Sequence, residues 1–235
     1  RNMVKKNILN PDFITAIDDL KKYLLYLNGS YMQFTYEGMI HQIEWCEVAF
    51  KVKCNICNEP TLLSNEYKTK NGAYKCINTE CASHNSGKKC IEAKNCERLG
   101  FEYLFLANNN SQGKKIVKQF EKADFEKLNS HIEFLKSELK KEKVVIQSDK
   151  IPMDWDRQFE DGLAKKGIIN FQDLFTERNL LIVSLLLNKI KSYSSKLSRD
   201  KYELLRMIFS NTVKDTNIMA FTNETWQGGK PTTWS

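Results

Sequence analysis

Four cysteines in two pairs constrain this chain more than any other feature. Cys54 and Cys57 are separated by two residues, Cys76 and Cys81 by four, and 18 residues lie between the pairs. Tetrahedral zinc takes four soft ligands, and two short cysteine loops brought together by a hairpin supply them. Asn55-Ile56 and Asn58-Glu59-Pro60 suit the tight turn that aims backbone amides at thiolate sulfur, and Gly72 suits the turn of the intervening hairpin. The spacing therefore predicts a zinc ribbon with Cys54, Cys57, Cys76 and Cys81 as ligands. Four thiolates leave no open position for water or substrate, so the expected metal is structural. It would stabilise a lobe too small to have its own core.

Other residues complicate the ligand set. Cys90 or Cys96 could replace Cys81, and His84 follows Cys81 by three residues. A second site at His84, Cys90 and Cys96 lacks an obvious fourth ligand. Cys46 sits among apolar residues and reads as a buried thiol. A thioredoxin-type redox role is disfavoured, because Pro60 and the second pair do not fit a C-x-x-C that opens a helix. The chain has seven cysteines and no export signal, so a reducing compartment is expected and disulfides are disfavoured.

Composition narrows the class further. Of the 235 residues, 41% are hydrophobic and 28% charged, which supports a packed core and excludes a disordered tail. The longest apolar run, residues 180–187, is far too short to span a bilayer, and the N-terminal stretch has no apolar signal core. We expect a cytoplasmic protein with no membrane association, and the start without Met suggests a piece of a longer chain. The net charge is +7. Basic residues exceed acidic ones by three in 1–100, by two in 101–150 and by two in 151–235. Such a spread excess fits weak attraction to a polyanion, and equally an ordinary solvated surface.

The periodicity predicts an α+β fold. Residues 12–27 read as a helix, with Phe13, Ile17, Leu20, Leu24 and Leu27 on one face, Asn10-Pro11 at its start and Asn28-Gly29 at its end. Residues 33–54 read as a hairpin or two strands leading into the first cysteine pair, and 101–107 as a short strand. Asn108 to Gly113 reads as a turn, and 114–143 as one long amphipathic helix of about 40 Å with Val117, Phe120, Leu128, Ile132, Leu135 and Leu139 as its stripe. A linker, 144–152, leads to a mainly helical section. There Phe159–Lys166 reads as a short helix, Thr176 as the N-cap of a helix over 177–193 that should be the most buried one, and 199–213 as another helix. The tail 222–235 reads as a loop. These features suggest four regions: an N-terminal helix and strands in 1–50, a zinc-ribbon lobe in 51–98, a strand and long helix in 99–145, and a helical section in 146–235.

The stretch 151–190 is the most specific part of the chain. Ile151, Pro152, Leu174, Phe175, Thr176, Arg178, Leu180 and Leu181 form an "IP" segment followed by "LFT-x-R-x-L-L" opening an apolar helix. This resembles the central region of the large bacterial adenine-specific DNA methylases, which act on exocyclic amino groups. In that family a cysteine-pair zinc ribbon precedes the helical section, and the order of elements agrees from about residue 34 onward. The family's catalytic D/N-P-P-Y/F/W tetrapeptide has no counterpart, because none of Pro11, Pro60, Pro152 and Pro231 is followed by another proline. The glycine-rich turn that holds S-adenosylmethionine has none either, since Gly228-Gly229 lacks a strand–turn–helix context.

The resemblance therefore implies a non-catalytic DNA-recognition and scaffold region of an S-adenosylmethionine-dependent methyltransferase of the restriction–modification kind. It would lie between the catalytic motif and the cofactor motif, with double-stranded DNA and the catalytic halves of the parent as partners. Candidate DNA contacts are Lys68, Lys70, Lys75, Lys88, Lys89 and Arg178, with Tyr67 and Tyr74 nearby. Each lysine reads equally as solvated surface, and Arg178 as a group fixing a helix end. The alternative is a zinc-ribbon protein-interaction module that makes no direct DNA contact. A self-contained enzyme has little support, because His41, His84 and His131 are scattered and no nucleophile triad or phosphate loop is present.

Overall fold

The computed structural model describes residues 10–69, 73–85, 91, 96–109, 115–146, 148–152, 168–213, 216, 221–222 and 231–232. The fold is α+β, and the chain divides into two compact units. One joins residues 1–32, 122–147 and 174–235, and the other joins 33–121 and 148–173.

The first unit is helical. Helix α1 spans Pro11–Asn28; the Asn10 side chain caps it by accepting from the Asp12 N–H, and Gly29 ends it at φ +49°. The later helices are α3 (Lys122–Lys141), α4 (Glu177–Lys191) and α5 (Arg199–Val213). A four-residue helix, α2 (Ala82–Asn85), belongs to the other unit. Thr176 caps α4, its hydroxyl accepting from the Asn179 N–H. Helix α4 is the centre of the unit and packs against α1, α3 and α5. Between its two end residues it has no exposed position, as its nearly all-round apolar sequence predicts. Phe13, Ala16 and Leu20 of α1 meet Ile190, Tyr193, Leu197 and Leu205 in one buried cluster.

A polar lock closes this unit. Buried His131 of α3 donates from Nε2 to the Leu27 carbonyl at 2.7 Å, so its Nδ1 is the unprotonated nitrogen. Nδ1 accepts from Arg178 Nε at 3.3 Å. The same guanidinium donates to Asn28 Oδ1 at 2.6 Å and lies 4.4 Å from the centre of the Tyr31 ring, which stacks on His131. One arginine at the start of α4 thus ties the C-terminal end of α1 to α3.

The second unit is built on an antiparallel sheet. A hairpin of β1 (Gln33–Tyr36) and β2 (Met39–Gln42) turns through Glu37 and Gly38, both at positive φ. Strands β3 (Trp45–Lys53), β4 (Pro60–Leu63), β5 (Arg98–Asn109) and β6 (Lys115–Gln119) then form a sheet of order β4-β3-β5-β6. The β3–β5 register shifts between Lys51 and Val52, opposite Gly100, whose φ of +118° suits glycine. Just beyond this irregularity β3 delivers Cys54. The Arg98 guanidinium stacks on Phe50 and Phe101 and donates to the Asp173 carbonyl at 3.2 Å. It thereby fastens to the sheet a segment in which Lys150 and Asn170 form an antiparallel bridge.

Three sequence expectations are corrected. The long helix over 114–143 is two elements, strand β6 and then α3. Residues 115–119 alternate between exposed and half-buried positions, and Phe105 to Asn109 of β5 supply the hydrogen bonds that helix would otherwise provide. Val117 therefore leaves the predicted helical stripe and stands half-exposed on an edge strand, while the 20 residues of α3 span about 30 Å. The strand at 101–107 is longer, and it takes in Asn108 and Asn109 of the expected turn. In the tail, β7 (Phe221–Thr222) pairs with β8 (Pro231–Thr232) where a loop was expected. The expected helix Phe159–Lys166 and the turn at Gly72 lie outside the described residues.

The lock has a pH signature. Burial first, and then the nearby Arg178 and Lys127, hold His131 below the ordinary histidine value of 6.5. Folding favours the neutral ring, so its contribution is complete above pH 6.5 and is lost as pH falls from there through the folded-state value. Chemical denaturation between pH 7.5 and 5 should show falling stability. His131→Gln, whose amide can replace both hydrogen bonds, should flatten that fall; an unchanged slope would contradict the lock.

Candidate metal centre

Strand pairing brings the two cysteine loops together. The first loop follows β3, where the Cys54 N–H donates to the Glu59 carbonyl and the Asn58 N–H to the Cys54 carbonyl, both at 2.9 Å. Asn58 takes φ +64°, a conformation that asparagine tolerates, and the Ile56 N–H reaches Cys54 Sγ at 3.4 Å. The second loop is wider. Its Cys81 N–H donates to the Asn78 carbonyl at 3.1 Å, and the short helix α2 begins immediately after Cys81.

The four sulfurs all lie within 4.8 Å of one another, and Cys54, Cys76 and Cys81 are buried. The short contacts cross between the pairs: Cys54 to Cys81 is 3.9 Å and Cys57 to Cys76 is 3.7 Å. A tetrahedron with metal–sulfur bonds of about 2.3 Å has edges of about 3.8 Å. The cluster could thus hold a metal ion, and its geometry is compatible with structural zinc. No described cysteine is in a disulfide. Val52, Leu63 and Ile91 complete the buried cluster, so half of this small core consists of the cysteines themselves.

Crowded thiols cannot all ionise without a cation. Burial pushes Cys76 up. At Cys57 a backbone hydrogen bond near Glu59 favours the thiolate, yet burial and the three neighbouring sulfurs push the group up to about 12. Burial acts against the thiolate at Cys81 too, but the Ser83 hydroxyl and N–H, together with hydrogen bonds from the Cys57 and Cys54 thiols, outweigh it and hold the group at about 7. A divalent cation would remove this conflict, because each thiolate would then face positive charge.

Two buried hydroxyls serve the sulfurs, and the spacing of the cysteines did not reveal them. Ser83 Oγ accepts from the Cys76 N–H at 3.0 Å and lies 3.5 Å from Cys81 Sγ. Thr61 Oγ1 accepts from the Ile77 N–H at 2.9 Å, and its hydroxyl favours the Cys76 thiolate against the burial that pushes that thiol up. Both residues are 0% exposed. Each spends its acceptor lone pair on backbone and has its proton free for a thiolate, as groups around metal ligands do. The one signal available in sequence was the position of Ser83, two residues after a ligand.

The alternative ligands fall elsewhere. His84 donates from Nδ1 to the Cys76 carbonyl at 2.7 Å and so braces the loop rather than joining the sulfurs. Cys96 packs against the cluster without entering it, and Cys46 lies half-buried on β3. Cys90 lies outside the described residues. Of the proposed DNA contacts, Lys70, Lys88 and Lys89 also lie outside them. Lys68 and Lys75 are exposed on paired segments, where Lys68 bridges to Tyr74 and the Lys75 N–H donates to the Tyr67 carbonyl. Alternation along those segments sends the two lysines to opposite sides of the ribbon, so they do not make one face. Arg178 is engaged in the lock of the helical unit, which is the helix-fixing role.

No family model, no curated protein and no solved structure matches the chain. Among the described residues, no helix is long and apolar enough to cross a membrane.

Elemental analysis should find about one metal ion per chain, lost in Cys54→Ser because a broken set leaves thiolates uncompensated. Ser83→Ala and Thr61→Val should retain the metal but release it to a chelator about 10–100-fold faster, the usual effect of removing such partners. Release at the wild-type rate in both variants would show that the hydroxyls only brace the backbone.

Proposed function

We propose that this chain is a zinc-stabilised, non-catalytic scaffold and DNA-recognition section of an adenine-specific DNA methyltransferase. The observation that carries the scaffold role is the position of the "LFT-x-R-x-L-L" residues. Thr176 caps α4, Arg178 ties α4 to α1 and α3, and Leu181 is buried. A motif used in this way fixes a helix that organises its whole unit, which is what a section carrying catalytic halves on either side must do.

The metal reading fits the same role. Four cysteine ligands close the coordination sphere, leaving no position for a substrate. Structural zinc binds small domains with an apparent free energy of about 10–16 kcal/mol, which matches or exceeds the whole stability of a typical domain, about 5–15 kcal/mol. A core made half of cysteine therefore depends on its metal. The fold supplies rigidity, and the excess of basic residues supplies attraction to a polyanion.

Two measurements test this reading. The purified chain, given labelled S-adenosylmethionine and mixed duplex DNA, should transfer no methyl group, because neither the catalytic tetrapeptide nor the cofactor turn is in its sequence. By fluorescence anisotropy it should bind duplex DNA weakly, with Kd about 10⁻⁴ to 10⁻⁶ M and steep weakening with salt. Reproducible methyl transfer would overturn the non-catalytic reading. Absence of DNA binding at low salt, together with a stable protein complex, would replace it with a protein-interaction module.

A further inference from the structure

Among the described residues, a second run of basic side chains lies outside the cysteine lobe. The 22 residues from Arg178 to Arg199 contain five cations and no carboxylate. Four of the cations, Lys189, Lys191, Lys196 and Arg199, fall on the last turn of α4, the connection that follows and the first residue of α5. Lys191, Lys196 and Arg199 are exposed, and no described carboxylate forms an ion pair with any of them.

This connection is a built surface. Its backbone is hydrogen-bonded almost continuously: the Ser192 N–H to the Asn188 carbonyl, Tyr193 to Ile190, Ser194 to Lys191, and both Lys196 and Leu197 to Tyr193. Its two apolar residues, Tyr193 and Leu197, are buried in the cluster with α1. Between Lys191 and Arg199, every exposed residue is therefore lysine, serine or arginine. One exposed carboxylate, Asp200, follows Arg199 in the first turn of α5, while the other acidic groups nearby are engaged, Glu203 with Arg206. Asp19 accepts from the Tyr193 hydroxyl at 3.1 Å, Glu142 from Tyr23 and Asn188, and Asp12 pairs with Lys201.

We infer that the α4–α5 connection is a nucleic-acid docking surface, which grips the phosphate backbone of duplex DNA through Lys191, Lys196 and Arg199 with the intervening serine hydroxyls. This deepens the proposed function and rests on it. Lysine, arginine and serine are the side chains that take phosphate oxygens, and they carry register rather than sequence information. The held backbone means little ordering entropy is lost on contact. A membrane surface is a poorer fit, since no apolar side chain on the connection is available for insertion. Recognition of base edges is not asked of this surface, so its grip is indifferent to sequence.

The test compares wild type with Lys191→Gln/Lys196→Gln/Arg199→Gln, and with Lys68→Gln/Lys75→Gln in the other unit, on a 20-base-pair duplex across a salt series. The exposed positions leave the fold intact, and circular dichroism checks it. The triple variant should bind on the order of tenfold more weakly, with a log–log salt slope shallower by about 2 to 3, close to 0.9 for each lost contact. The lobe variant should change less. Wild-type affinity and slope in the triple variant, with wild-type binding intact, overturn this inference and leave the DNA reading standing. No duplex binding by wild type overturns both, and so does connection-dependent binding to phosphatidylserine vesicles in its place.

Discussion

Four sulfurs packed within 4.8 Å are the constraint on which the sheet-bearing unit depends. Two loops, one leaving β3 and one 22 residues further on, meet at a point where like charges would repel and neutral thiols would waste buried space. The surrounding groups prepare the meeting. Backbone N–H and hydroxyl donors reach the sulfurs, and the hydroxyls of Thr61 and Ser83 also hold the N–H groups of the second loop. The apolar part of this core is only Val52, Leu63 and Ile91 with their half-buried neighbours. A lobe with so little carbon to bury relies on the site for cohesion, which is why a cation is the natural completion of the fold.

The helical unit solves a different problem by a different means. Its carbon core is ample, so helix packing needs no metal, but helix ends leave backbone carbonyls and side chains to satisfy. The Leu27 carbonyl at the end of α1 finds His131, and His131 finds Arg178. Arginine suits this position because its planar fork can reach two partners and still stack on Tyr31, which lysine could not do. The donors of half-buried Arg178 are thus already used inside its own unit.

Function then separates from the residues that first suggested it. The residues that carry the methylase resemblance act within the fold: Thr176 caps, Arg178 ties and Leu181 fills. The cationic surface lies one helix further along, where α4 ends and the chain turns into α5. A helix C-terminus tolerates lysine well, because the macrodipole places negative partial charge there. Lys189 and Lys191 are therefore stabilising where they stand, and they also leave an exposed turn without any carboxylate.

What the sequence by itself determined is what depends on short range. The Asn10 cap and Gly29 stop set α1, the Thr176 cap sets α4, Arg199–Val213 falls where its periodicity placed it, and the cysteine spacing assembled the sulfur cluster. Only the tertiary structure decided the rest. Residues 115–119 carry a pattern that continues into a helix, yet they form a strand because β5 offers an unpaired edge beside them. Thr61 looks like an ordinary polar residue until folding sets it against the second cysteine loop, where it accepts from the Ile77 N–H. Arg178 and Asn28 stand 150 residues apart in the chain. Caps and periodicity are read within one or two turns, whereas sheet edges and hydrogen-bond partners are settled only when distant segments compete for the same buried space.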